Sequence, residues 1–281
     1  MNYYQYNTLP IDYINKKISE FILEDIPDSD ITTNATIQQQ QQITANIVSE
    51  ENCIFSGRDI IKHFYPKCNV VINFNDGEYI TKNDIIGVIT GNALTILSNE
   101  RVMLNLIQRL CGIATSTNRY VQLVNNKIKI LDTRKTTPGI RLFEKYAVTC
   151  GGGYNHRLNL SAGYLIKDNH LTANKSIEEI ISTIKKLNNH KPIEVEVDTL
   201  DQIKRILPLD INGFLLDNMS PQLTKKCVQT IKKYNRKIFI ESSGGITLNN
   251  IKSYINTGVH AISVGALTHQ AQNINIKLEF I

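Results

Sequence analysis

From Ile128 onward the chain repeats one unit: a short apolar run followed by an amphipathic stretch of helical length. The runs are IKIL (128–131), GYLI (163–166), IEVEV (193–197), GFLL (213–216), KIFI (237–240) and AISV (261–264). Between them lie SIEEIISTIKKL, TLDQIKRIL, QLTKKCVQTIKKY and LNNIKSYINTG. Alternating strand and helix predicts a parallel sheet, and six units without a long interruption predict a closed or partly closed β/α barrel. An open doubly wound sheet is the alternative. The strand ends favour the barrel, because each closes on polar residues or glycine: DTRK, KDNH, EVD, LDN, ESSGG and VGA. Loops at the C-terminal ends of the strands are where such barrels assemble a site.

The stretch Lys129–His170 gathers Arg134, Lys135, Arg141, Lys145, His156, Arg157, Lys167 and His170. Against 31 Lys plus Arg and 26 Asp plus Glu, a net charge of +5 is only a mild excess. So local a concentration predicts a pocket for a ligand with several negative groups, and not a nucleic-acid-binding surface.

The first hundred or so residues read differently. Ile11, Ile14, Ile18, Phe21, Ile22 and Ile26 share one helical face, predicting an amphipathic opening helix. Gln38–Gln42 reads as a strand edge or short loop leading into ITANIVS. Cys53–Phe55, Val70–Phe74 and Ile85–Thr90 are strand candidates, GRDIIKHFY a short helix, and Asn75, Asp76 and Gly77 a turn. These elements predict a small α+β layer. Ala93 to about Asn125 then turns helical, with Leu94, Leu97, Val102, Leu106 and Leu110 as its stripe, and is expected to bridge two domains. The expected division is 1–112 for the N-terminal sandwich and bridging helix, 113–267 for the barrel, and 268–281 as a tail that could return to the N-terminal domain.

With 281 residues, 42% of them hydrophobic, the chain can bury a large core. Five widely spaced cysteines without a CxxC pair argue against a disulfide framework or zinc site and for a reducing cytoplasm. No apolar run approaches the roughly 20 residues that span a bilayer, and MNYYQYNTLP lacks the features of an export signal.

A single Asp after a strand is usually a helix cap, as Thr199, Ser220 and Thr247 are expected to be. Asp132, Lys167, Asp168, Glu196, Asp198, Asp217, Glu241 and Ser243 together are more than capping requires. Ser243, Gly244 and Gly245, expected to open a helix, offer backbone N–H groups to an anion, and Val264, Gly265 and Ala266 repeat the theme. A phosphate is the natural occupant. Glu196 and Asp217 could accept from ribose hydroxyls, hold Mg²⁺ through its waters, or serve as a glycosidase-like pair. Gly151, Gly152 and Gly153 would let backbone approach a ligand beside His156 and Arg157, although His156 also suits a structural role.

DTRKTTPGIRLFEKYAVTCGGGYNHRLNLSAGYLIKDNH, EVEVDTLDQ, LLDNMSP, SSGGI and ISVGALTHQ closely resemble the quinolinate phosphoribosyltransferases, or carboxylating nicotinate-nucleotide pyrophosphorylases. The likeness runs from EDIPDSDITT to the last barrel strand. It implies an N-terminal α/β sandwich with a C-terminal incomplete barrel. It also implies a pentosyltransferase that converts quinolinate and phosphoribosyl pyrophosphate to nicotinate mononucleotide, pyrophosphate and CO2, with Mg²⁺, on the de novo route to NAD.

By motif, the resemblance assigns substrate binding to Arg101, Thr133, Arg134, Lys135, His156, Arg157 and Lys167. Glu196, Asp217, Ser243, Gly244, Gly245, Val264, Gly265 and Ala266 fall to phosphoribosyl pyrophosphate. Catalytic roles fall to Lys135, Lys167, Glu196 and Asp217, with Mg²⁺ near Glu196 and Asp217. Arg101 matches an arginine lent to the neighbouring subunit, which implies a homodimer at least and allows a hexamer. Two rivals share the fold: a molybdenum-transport-associated branch and a catalytically silent binding protein. Retention of the basic set, Glu196 and Asp217 argues against both.

Overall fold

The computed structural model describes residues 1, 3–171, 176–187 and 190–281. In chain order its first elements are α1 (Ile11–Asp25), α2 (Ile31–Thr36), β1 (Gln42–Ser49), β2 (Cys53–Ile54), α3 (Arg58–Phe64), β3 (Asn69–Ile72), β4 (Tyr79–Ile80), β5 (Ile85–Asn92) and α4 (Ala93–Val124). There follow β6 (Lys129–Leu131), α5 (Arg141–Cys150), β7 (Tyr164–Ile166), α6 (Asp168–Leu171), α7 (Ile177–Lys186), β8 (Ile193–Val197) and α8 (Leu200–Ile206). The last are β9 (Gly213–Asp217), α9 (Pro221–Tyr234), β10 (Phe239–Ser243), β11 (Ala261–Ser263), α10 (Ala266–His269) and β12 (Ile276–Phe280).

Two compact units divide these elements, and the chain passes between them more than once. One unit comprises Tyr6–Asn118, Thr137–Gly152 and Leu267–Ile281, the other Met1–Gln5, Arg119–Thr136 and Gly153–Ala266. In the first, an antiparallel sheet runs β12-β1-β5-β3, with β2 and β4 as a separate pair. Ala45 and Ile47 on β1 are buried and Asn46 between them is half-buried, the period of two expected of a sheet with one covered face. Along α4 the buried side is Ile96, Met103, Ile107, Leu110 and Ile113, while Leu94, Leu97 and Val102 of the expected stripe are half-buried. Gly151 ends α5 against this helix: a Cβ there would overlap the Ala114 carbonyl oxygen, so the glycine serves helix packing.

The second unit is the parallel sheet, ordered β6-β11-β10-β9-β8-β7. Strands β7 to β11 sit side by side in sequence order and β6 adds beside β11. Among the described residues the edges β6 and β7 do not pair, so this is the incomplete six-stranded barrel expected. Val195, Val197, Phe214, Leu216, Ile240 and Ile262 are buried on one face and Leu215 and Ala261 on the other, as parallel strands covered on both faces must be.

The crossover helices begin where their caps dictate. Ser176 and Glu179 form a reciprocal capping box on α7, and Thr199 with Gln202 another on α8. On α9, Ser220 accepts from the Leu223 N–H and Pro221 stands in the first turn. LNNIKSYINTG departs from expectation: only a 3₁₀ turn forms, at Ile251–Tyr254. The cause is local, because the Asn250 side chain accepts from the Thr247 N–H (2.8 Å) and donates to the Gly245 carbonyl (2.9 Å). Side-chain bonding of this kind competes with the helical ladder. Thr247 therefore caps no helix, and the Ser243–Gly245 turn does not open one.

Candidate functional site

At the C-terminal rim of the parallel sheet, strands β6 to β11 deliver the residues singled out by sequence. Thr133, Arg134 and Lys135 follow β6, Lys167 follows β7, Glu196 lies in β8, Asp217 and Ser243 end β9 and β10, and Val264, Gly265 and Ala266 follow β11. Asp217 and Ser243 are direct partners in the parallel register. The loop after β6 is shaped by its own polar atoms: the Lys135 N–H donates to Thr133 Oγ1 (3.0 Å) and the Thr136 N–H to the Arg134 carbonyl (2.9 Å). Arg134 and Lys135 are exposed there.

Lys167 and Glu196 form an ion pair between the ends of neighbouring strands. Beside them, Asp217 accepts from Asn218 Nδ2 (2.7 Å), and the Asn218 N–H donates to the Ser243 carbonyl (2.9 Å). Gly244 and Gly245 both have positive φ, +84° and +62°. A Cβ on Gly244 would overlap Asn218 Oδ1, so close approach of the two loops requires glycine at that position. Asp168 and Asp198, also weighed from sequence, are exposed at the starts of α6 and α8.

Below the rim lies a buried polar layer. Asp132, fully buried, accepts from Asn155 Nδ2 (2.6 Å) and the His156 N–H (2.8 Å). The Arg157 N–H donates to His156 Nδ1 (2.8 Å), and Arg157 Nη1 donates to the Gly163 carbonyl (2.9 Å). On its other edge, His156 Nε2 stands 3.3 Å from a Glu194 oxygen and 3.4 Å from a Glu241 oxygen. Both carboxylates are fully buried, and among the described residues their nearest polar neighbour is this imidazole edge, at a long 3.3–3.4 Å. The Tyr3 ring covers the imidazole at 4.8 Å between centroids.

Burial alone would lower the His156 pKa, but the charges of Glu241 and Glu194 outweigh it and raise it. Burial, reinforced by Glu241, raises that of Glu194 as well. Because the Arg157 amide donates to Nδ1, that nitrogen acts as an acceptor and the ring presents its N–H at Nε2, toward the two carboxylates. Arg157 itself is held below the usual guanidinium range, first by burial and then by the charge of Arg134.

Glu241 was among the strand-end acids noted from sequence, whereas Glu194 was not. Its signal was present all the same: two residues before Glu196 in IEVEV, it must face the same side of the strand. Arg101 belongs to the other unit. It is exposed on α4 at a cleft of about 460 Å³ lined also by Phe21, Asn105, Arg109, Thr137 and Ile140. Arg141 and Lys145 are on α5 of that same unit, with Lys145 fully buried. Two members of the cationic stretch thus belong to the unit that holds the antiparallel sheet and not to the barrel unit.

Residues 30–111 match the N-terminal domain of quinolinate phosphoribosyl transferase and residues 113–279 its C-terminal domain. The chain belongs to this family. It is 39% identical over 272 residues to a probable nicotinate-nucleotide pyrophosphorylase (carboxylating) of Bacillus subtilis, covering 95% of this chain and 93% of the relative. The nicotinate-nucleotide pyrophosphorylase (carboxylating) of Mycobacterium leprae is 37% identical over 257 residues, 89% of this chain and 90% of that one. Among solved structures, the nicotinate-nucleotide pyrophosphorylase of Francisella tularensis superposes with a TM-score of 0.91 at 36% identity, covering the whole of both chains. Among the described residues no helix is long and apolar enough to cross a membrane.

Proposed function

We propose that this chain is a carboxylating nicotinate-nucleotide pyrophosphorylase of NAD biosynthesis. It would join quinolinate to phosphoribosyl pyrophosphate and release nicotinate mononucleotide, pyrophosphate and CO2. The observation that carries the reading is one barrel rim bearing cations at Arg134, Lys135 and Lys167, acids at Glu196 and Asp217, and the Gly244–Gly245 turn. Two substrates that together carry several negative charges need that many donors, each charge-assisted hydrogen bond contributing about 1.5 to 3 kcal/mol.

In this reading Arg134, Arg157 and Lys167 hold the quinolinate carboxylates, and Lys135 faces the departing pyrophosphate. The turns at Ser243–Gly245 and Val264–Ala266 take the 5′-phosphate through backbone N–H groups. Glu196 and Asp217 accept from the ribose hydroxyls. As hard oxygen donors from adjacent strands they also suit a Mg²⁺ held through its waters, which would add positive charge beside the leaving pyrophosphate. Loss of pyrophosphate leaves positive charge on the ribose, and fixed Lys and Arg stabilise the group that departs. Once the pyridine nitrogen is quaternary, it stabilises the carbanion left by CO2, so no strong base is required. Arg101 completes the site of a partner subunit in a cytoplasmic homodimer.

The test is an assay with phosphoribosyl pyrophosphate and Mg²⁺ that follows labelled CO2 from quinolinate, with nicotinate as control acceptor. Release from quinolinate, with no nucleotide formed from nicotinate, is expected. No release from folded protein would overturn the reading.

A further inference from the structure

Three residues of the buried layer have no part in the reaction just described, and they are linked to three that do. His156 adjoins Arg157 in sequence, Glu194 lies two residues before Glu196 on β8, and Glu241 lies two before Ser243 on β10. Side chains two apart on a strand share a face, so the buried carboxylates sit one step below the rim groups on the same side of the sheet. Resting on the proposed function, we infer that His156 is a positioning residue: clamped by Glu194 and Glu241 below the rim, it sets the backbone of Arg157 and thereby aims that guanidinium at a quinolinate carboxylate.

The geometry leaves the imidazole little room for direct contact with substrate. Tyr3 covers one face of the ring. Both ring nitrogens are committed, Nδ1 as acceptor for the Arg157 amide and Nε2 toward the two carboxylates. The three groups lie close enough together to suggest a metal site. With Nδ1 accepting from the Arg157 amide, however, the imidazole turns its N–H at Nε2 toward the carboxylates and has no lone pair there for an ion.

Arg157 is fastened at two points, its amide on His156 and its guanidinium on the Gly163 carbonyl. Loss of the first leaves the guanidinium present but less well aimed. Such a defect appears as weaker quinolinate binding, while the barrel and the phosphoribosyl pyrophosphate site persist.

Asparagine and glutamine divide the two halves of the imidazole between them. His156→Asn places Oδ1 where Nδ1 stood and keeps an acceptor for the Arg157 amide. His156→Gln reaches the carboxylates with an N–H donor and gives up that acceptor. The expected result is a KM for quinolinate raised about tenfold in His156→Gln and distinctly less in His156→Asn, with KM for phosphoribosyl pyrophosphate near wild type in both. Equal defects in the two variants, or a fall in kcat with KM unchanged, would overturn the inference.

A measurement on the wild-type protein needs neither variant to fold nor any turnover. In ¹⁵N-histidine-labelled protein, the buried ring is expected to show a protonated Nε2 and an unprotonated Nδ1, unmoved by saturating quinolinate. A ring that shifts directly on quinolinate addition, or one protonated at Nδ1, sinks the positioning role. Absence of CO2 release in the assay above would instead count against the proposed function, which this spectrum does not read.

Discussion

The Lys167 ammonium is paired with the Glu196 carboxylate across the ends of β7 and β8, so a cation and an acid of the rim hold one another. The Lys167 side chain is 39% exposed, and a pair this open contributes no more than about 1 kcal/mol to stability. Glu196→Gln should therefore leave the thermal midpoint within a few degrees of wild type. If Glu196 accepts from the ribose hydroxyls as proposed, the change should nevertheless cost at least about tenfold in kcat/KM for phosphoribosyl pyrophosphate, because one acceptor oxygen becomes an NH2 donor and the charge is lost. Kinetics and a thermal melt on one preparation separate the two. A large fall in melting temperature would make the pair structural instead.

Arg101 is exposed on α4, so Arg101→Ala should barely affect folding while impairing turnover. A mixing experiment reports where it acts. If each site combines Lys167 of one subunit with Arg101 of the other, refolding Arg101→Ala together with Lys167→Ala restores up to about a quarter of wild-type activity, since half the dimers are hybrids with one intact site. No recovery would mean that Arg101 serves its own subunit, and normal kinetics in Arg101→Ala would remove it from the site.

The strand ends were legible because a parallel barrel repeats one rule: a buried run closes on polar residues at the rim. Lys167, Glu196, Asp217 and Ser243 could be placed by that rule alone. Helix α5 was harder, because Glu144 and Lys145 within LFEKYAVT blur its apolar face although both are fully buried. The charged partner of Glu144 is Arg109, 35 residues away, and no local pattern reports so distant a pairing. The 3₁₀ turn at Ile251–Tyr254 escaped for a related reason, since what stops the helix is where the Asn250 side chain bonds.

Glu144 accepts from Arg109 Nε (3.1 Å) and Nη2 (2.9 Å) and from the Thr137 N–H and hydroxyl (both 2.9 Å). Removing one partner of a buried pair strands the other, so Glu144→Ala should lower the unfolding free energy by about 3 kcal/mol. Replacing both, as Arg109→Met with Glu144→Leu, should cost clearly less than the sum of the single changes. Urea unfolding of the singles and the double measures this. Additive losses would mean that the bonds to Thr137 and the Ala271 carbonyl, not the ion pair, carry the effect.

Gly244 and Gly245 look alike in sequence but not in their surroundings. An alanine at 244 would take φ +84° and overlap Asn218 Oδ1, whereas at 245 the nearest atom is that same oxygen at 3.9 Å. Gly244→Ala should therefore displace the Asn218 loop beside Asp217 and raise KM for phosphoribosyl pyrophosphate about tenfold or more. Gly245→Ala carries backbone strain of order 1 kcal/mol and a smaller kinetic defect. Equal effects from both would argue that the turn's dihedral angles, and not its approach to Asn218, make the site.

Asp76 gives the fold a pH signature. Its carboxyl accepts from the Gly57 N–H (2.5 Å), the Arg58 N–H (3.1 Å) and the Tyr146 hydroxyl, all of which favour the charged form, yet burial prevails and raises its pKa. A raised folded-state pKa means that the fold prefers the protonated acid. Its contribution is fully present below the unfolded value of about 3.9 and is lost as pH rises through the folded value. Asp76→Asn, neutral at every pH, should therefore gain on wild type from about pH 4 upward, by no more than about 1.4 kcal/mol per pH unit. Urea unfolding of both proteins at intervals from about pH 4 to 7 checks the sign. If the difference between them does not change with pH, Asp76 titrates as it does in the unfolded chain, and the bonds from Gly57, Arg58 and Tyr146 balance its burial in full.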